Sequence, residues 1–325
     1  MKARLISLLV VTAASLAAQY QWDFNQNPIA ADPGHWTQNG TISFGSPTTF
    51  SAASGGSIIY NQTVTGANAN DYDPDATLAL KSGGGAYVEY LRASQTALLS
   101  HSGASETCVG SFIAIEIDVP SSGFSQSGTL ATIALYQCSS GTLSQLASTQ
   151  ASVKDGLTTR TVIWSNNLRF FIGGIQVLRS SALTGTTGNP GIGGYNQPSG
   201  SGFNGASVGH RDSVAPNPIN GQTIGFSPLP NQVSMQWAGT VDDTNGIGLY
   251  TYLIYRGDGN GNNMVLLNSS PTSEFVDDTV QPLTTYTYQV QAEDWHVNTS
   301  TAVRFTVNTP MAQAVDRRRR AWTRP

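Results

Sequence analysis

The chain has 325 residues, a length that suits two domains better than one. Only 11% of residues are charged, glycine occurs 34 times, and no long Glu/Lys/Leu-rich helical pattern exists, which argues against a helical protein. Between residues 18 and 309, nine basic side chains face nineteen acidic ones, so nucleic acid is not expected as a partner.

The first seventeen residues read as a signal peptide. Lys2 and Arg4 form a basic start, residues 5–16 are an apolar run, and Ser15, Leu16 and Ala17 supply a cleavage site. The run falls short of the roughly 20 apolar residues that span a bilayer, and no later segment qualifies. Secretion or cell-surface display follows as the expectation. In that compartment Cys108 and Cys138 are expected to bridge, because four scattered histidines offer no metal-ligand spacing beside them.

Short β signals then follow one another. Residues 19–24, 41–44 and 57–60 are separated by the turn pairs Pro33-Gly34, Asn39-Gly40 and Gly55-Gly56. Residues 76–80 and 86–92 flank Gly83, Gly84 and Gly85 and read as a hairpin. A polar loop with Cys108 leads into residues 111–120, SFIAIEIDVP, which alternate strictly. Ile113, Ile115, Ile117 and Val119 face one way, and Ala114, Glu116 and Asp118 the other. That predicts a half-buried strand with both carboxylates on its exposed face. Residues 130–138 and 143–149 read as the next pair. Residues 159–164, 168–174 and 175–177 form a strand, a turn and two further strands, before a Gly-rich run (188–203) and a short strand at 206–209.

TRTVIWSNNLRFFIGGIQV (159–177) resembles the penultimate strands of concanavalin A-like jelly rolls of the laminin-G and lectin type, and PGIGGY (190–195) resembles their closing loop. The resemblance covers about 20–210 and implies an all-β sandwich. Residues 211–218, with Pro216 and Pro218, read as a linker. Beyond it, the inward Trp237 of VSMQW and the alternating Tyr286, Tyr288, Val290 and Ala292 resemble the fibronectin type III sandwich over 219–309. Trp237 would be its core tryptophan, and Tyr286 or Tyr288 its tyrosine corner. Residues 310–325 carry no periodicity and read as a disordered basic tail.

Glu116 and Asp118 are the weak catalytic candidates. Jelly-roll glucanases carry Glu-x-Asp-x-Glu on such a strand, but here Pro120 stands where the second glutamate would be. A non-catalytic role is therefore expected. The same pair could meet a sugar, with Tyr87, Trp164, Phe170 and Tyr195 as available aromatic platforms, and Glu116, Asp118 and Trp164 are the ligand-binding candidates. Asp71, Asp73 and Asp75, two apart in an expected loop, are the calcium candidates implied by related lectin domains; no other cofactor is expected. Asp258-Gly-Asn-Gly-Asn262 reads as a hairpin turn. The resemblance implies a secreted or surface binding or adhesion protein whose partner is a glycan or an extracellular protein. The alternatives are a polysaccharide hydrolase with an accessory module, and the N-terminal part of a larger surface protein.

Overall fold

The computed structural model describes residues 18–24, 27–31, 34–45, 49–52, 54–61, 72–102, 105–184, 187–210, 212, 214–243 and 248–312. The expected signal peptide, Asp71 and most of the basic tail lie outside them. The chain divides into two compact units, one spanning Ala17–Arg211 and one built on Asp212–Pro325.

The described residues of the first unit form seventeen strands: β1 (Ala18–Asp23), β2 (Trp36–Gly40), β3 (Ser43–Gly45), β4 (Thr49–Ser51), β5 (Gly56–Tyr60), β6 (Tyr72–Ala79), β7 (Ala86–Ala93), β8 (Leu98–Ser102), β9 (Ser105–Val109), β10 (Phe112–Asp118), β11 (Thr129–Ser139), β12 (Thr142–Val153), β13 (Thr158–Trp164), β14 (Asn167–Ile172), β15 (Ile175–Ser180), β16 (Asn189–Tyr195) and β17 (Gly202–His210). One sheet runs β15-β14-β13-β6-β17-β4-β3, with β1 also on β17. The other runs β12-β11-β10-β7-β16-β5-β2, and β8 and β9 form a separate hairpin. Two antiparallel sheets packed face to face make the concanavalin A-like jelly-roll sandwich.

The alternation in β10 builds the core as expected. Ile113, Ile115 and Ile117 pack with Tyr87, Leu91, Ile133 and Leu135 of their own sheet and with Leu78, Ile163, Phe170 and Phe203 of the other. Each fully buried aliphatic side chain of this kind contributes about 1.5–3 kcal/mol.

Two local expectations change. Residues 76–80 and 86–92 are not a hairpin, because β6 and β7 belong to opposite sheets and the Gly83–Gly85 bend carries the chain across the sandwich. PGIGGY is not a loop but most of β16, a strand paired to both β5 and β7. Its glycines answer crowding rather than turning. A Cβ on Gly193 would stand 2.5 Å from the Gly56 carbonyl oxygen, and one on Gly194 would stand 2.3 Å from that of Ala86.

The second unit pairs a three-stranded sheet, β18 (Gly225–Leu229), β19 (Gln232–Gln236) and β22 (Glu274–Asp277), with a four-stranded one. The latter holds β20 (Leu249–Asp258), β21 (Val265–Ser270), β23 (Thr285–Asp294) and β24 (Val303–Asn308), in the order β21-β20-β23-β24. This is the fibronectin type III arrangement. Trp237 is 4% exposed and meets Tyr252 edge-on at 5.3 Å between ring centroids. Tyr286 is the tyrosine corner, its hydroxyl accepting from the Gln281 N–H at 2.9 Å. Tyr288 instead donates to Asp277 from the core. Residues 258–262 form the β20–β21 turn, with Asp258 Oδ1 accepting from the N–H groups of Asn260 and Asn262. The expected linker is partly structure: Asp212 is buried, and the Asn217 N–H bonds the Val241 carbonyl. Among the described residues, no helix is long and apolar enough to cross a membrane.

Candidate functional site

The outer face of β10 carries Phe112, Ala114, Glu116 and Asp118, and it is not open as the alternation suggested. The β8–β9 hairpin covers much of it. Cys108 of β9 is bridged to Cys138 of β11, with Cα atoms 6.2 Å apart. The Tyr90 hydroxyl accepts from the Leu99 N–H at 2.8 Å, and the Ser57 hydroxyl donates to the Ala97 carbonyl. Beneath, Leu99, Tyr90, Phe112, Ala114, Ala134 and Tyr136 form a second apolar cluster. The hairpin therefore turns the Phe112 end of an exposed face into a small core.

Glu116 is caught at the edge of that core. It is 3% exposed, where an open polar face was expected, because Val88 and Ala134 flank it in register and the hairpin lies above. One oxygen, Oε1, accepts from the Tyr195 hydroxyl. The other, Oε2, is buried and has no hydrogen-bond partner. Burial pushes the Glu116 carboxyl up to about 7; the Tyr195 bond works against this, and the charges of Glu106 and Asp118 add to it. Tyr195 is raised in turn, by burial and by the Glu116 charge.

The hairpin supplies two groups that the sequence reading missed. His101 and Glu106 face each other across the β8–β9 register. The exposed His101 ring stacks on Tyr195, with centroids 5.6 Å apart and planes 14° from parallel. Glu106 also lies near Tyr136, whose phenol is raised chiefly by burial, with the charges of Glu116 and Glu106 adding to it. Asp118, at the end of β10, stays exposed; partial burial raises its carboxyl, His101 opposes the rise and Glu106 adds to it. The result is a shallow patch of three carboxylates and two stacked rings. The usable signal was Cys108: a bridge to Cys138, next door to β10, forces the preceding segment onto this face.

Other candidates fall elsewhere. Trp164 ends β13 in the opposite sheet, half-buried under the Arg169 guanidinium at 5.9 Å, so it is not assembled with Glu116 and Asp118. Tyr87 and Phe170 are buried in the inter-sheet core. Asp73 and Asp75 lie on β6 rather than in a loop. Asp75 is held by both Nε and Nη2 of Arg160 at 2.9 Å, which commits its oxygens to a cation already present. Asp73 is 7% exposed, and Asp71 is outside the described residues.

A second buried glutamate was not anticipated at all. Glu89 of β7 points between the sheets, its two oxygens accepting from the hydroxyls of Thr159 and Thr161 on β13. Burial pushes this carboxyl up to about 7 as well, against the two threonine bonds.

No protein-family model and no curated protein matches the sequence. Among solved structures, a legume lectin-like domain from Entamoeba histolytica is 13% identical, covering 59% of this chain and 97% of its own, with a TM-score of 0.41. A carbohydrate-binding module from Bacillus subtilis is also 13% identical, covering 54% of this chain and 92% of its own, with a TM-score of 0.36. A human fibronectin type III domain is 20% identical, covering 34% of this chain and 99% of its own, with a TM-score of 0.24. At these levels nothing about ligand or activity passes from them to this chain.

Proposed function

We propose that the first unit is a non-catalytic glycan-binding module of a secreted or surface protein, and that the fibronectin type III unit serves as its spacer. The ligand meets the patch made by Asp118, His101, Glu106 and Tyr195. The observation that carries this reading is the exposed His101 ring laid flat on Tyr195 beside an exposed carboxylate. A sugar needs an apolar ring for its C–H face and carboxylates for its hydroxyls, and this patch offers both. The bridged cysteine pair and the sandwich fold fit an extracellular setting. Glu116 contributes by holding Tyr195 rather than by touching ligand.

The hydrolase reading is less well supported. A carboxyl near 7 beside an ionised one is the pattern of an acid/base pair. Glu116, however, has one oxygen spent on Tyr195 and the other sealed, and Pro120 occupies the third acid's place. Screening the full chain on a glycan array, with Asp118→Ala and His101→Ala beside it, tests the proposal. Binding weakened at least about tenfold in both variants is expected, a loss of about 1.4 kcal/mol. Silence of the wild-type chain, or undiminished binding by both variants, would sink it. Release of reducing ends from a bound polysaccharide would move the assignment to the hydrolase.

A further inference from the structure

A separate constellation lies wholly within the second unit. Asp212, which opens it, and Asp242 and Asp243, between β19 and β20, each bring one carboxylate oxygen to within 4.8 Å of the others. Asp212 is only 8% exposed. Its Oδ1 accepts from the Val214 N–H at 2.9 Å, whereas its Oδ2 is fully buried and meets no donor. A buried carboxylate oxygen left without a partner is costly, and three carboxylates at this spacing repel one another. Arg211 precedes Asp212 in the chain and lies outside the described residues; no lysine or arginine occurs between Asp212 and Arg256, or between Asp294 and Arg304.

The surrounding hydrogen bonds hold the cluster in place. The Asp212 N–H donates to Nδ1 of His296 at 3.3 Å, and the Asn298 side-chain amide donates to the Asp212 carbonyl at 3.2 Å. Asp242 accepts from the N–H groups of Asp243 at 3.0 Å and Gly248 at 2.8 Å. The Asn217 amide donates to the Asp242 carbonyl at 2.9 Å. Contacts from three separate stretches of chain thus fix the backbones so that the acidic oxygens converge.

We propose that Asp212, Asp242 and Asp243 form a calcium-binding site. The donor atoms are carboxylate oxygens, which suit hard cations rather than zinc or copper. Calcium takes six to eight oxygens at about 2.3–2.6 Å, so oxygens on opposite sides of its shell stand up to about 5 Å apart, as this spacing allows. Magnesium needs shorter, strictly octahedral contacts and keeps more of its water. The ion supplies the positive charge that Oδ2 of Asp212 lacks, and it ties the segment entering the unit to the stretch before β20. Folding of this unit then depends on free calcium.

Scanning calorimetry of the full chain in chelator, in millimolar calcium and in millimolar magnesium tests the site. Calcium is expected to raise the melting temperature of the second unit by about 4–8 °C. Magnesium is expected to do markedly less. Asp212→Asn and Asp243→Asn should lose the calcium shift, yet melt in chelator at or above the wild-type temperature, because each removes a repelling charge and keeps an acceptor oxygen. That pairing separates loss of the site from a failure to fold, and titration calorimetry with calcium should show one site in the wild type and none in Asp243→Asn. No calcium shift in the wild type, a full shift in both variants, or an equal response to magnesium would overturn the assignment.

Discussion

Glu89 and Glu116 stand on neighbouring strands of one sheet and point to opposite faces of it. Both are almost fully buried and both carboxyls are pushed up to about 7, yet their surroundings differ. Glu89 faces the inter-sheet core, where Thr159 and Thr161 satisfy both of its oxygens. Glu116 faces outward beneath a hairpin, bonded to Tyr195 through one oxygen and to nothing through the other. Burial alone does not mark a functional carboxylate. Glu89 is a closed polar join between the sheets, and Glu116 the incomplete edge of a surface patch.

The largest expected effect is on pH dependence. Both groups carry a folded pKa raised from 4.5 to about 7, so the folded state keeps its protons where the unfolded chain has released them. Their stabilising contribution is full below about 4.5 and is lost as pH rises towards 7, roughly 3 kcal/mol for each group. Urea unfolding of the first unit should therefore show greater stability at pH 5 than at pH 8. Glu89→Gln and Glu116→Gln should each remove about half of that difference. Equal stability at the two pH values would contradict both assignments.

Removing the bridge with Cys108→Ser and Cys138→Ser is expected to cost about 2–4 kcal/mol in chemical denaturation. It also separates the two glutamates. Unpinning the hairpin should return Glu116 towards an ordinary carboxylate while Glu89 keeps its raised pKa. A change at both would mean that the hairpin supports the whole sandwich rather than one face.

Tyr195→Phe deletes the one hydrogen bond to Glu116 and should cost about 1–2 kcal/mol, raising the Glu116 pKa further because both oxygens are then unpaired. A fall in that pKa would show water entering the vacated position. The smallest effect expected is that of Glu116→Gln on stability at pH 5, within about 1 kcal/mol, because the amide oxygen still accepts from Tyr195.

The same contrast shows what the sequence could disclose. The period-2 pattern of residues 112–118 correctly assigned Ile113, Ile115 and Ile117 to the core, since alternation fixes which side chains share a face. It could not report what lies over the second face, because the cover comes from residues 98–109, whose polar composition reads as loop. Glu89 was hidden for a related reason: its partners are threonines on β13, seventy residues away, and threonine suits any strand. The glycines of 190–195 suggested a loop because glycine marks both turns and crowded strands, and only the approach of β5 and β7 decides between them. In the second unit, by contrast, Trp237 and Tyr286 are large side chains with fixed roles, and their spacing located the sandwich directly.

The most direct test of this account follows the side-chain carboxyl carbons of Glu89 and Glu116 by NMR between pH 4 and 9, in the wild type and in the bridge-free double variant. The account predicts that both titrate near 7 in the wild type and that only Glu116 moves towards 4.5 when the bridge is removed. An ordinary titration of Glu116 in the wild-type protein would contradict it, because the hairpin would then not be covering the face on which the proposed patch is built.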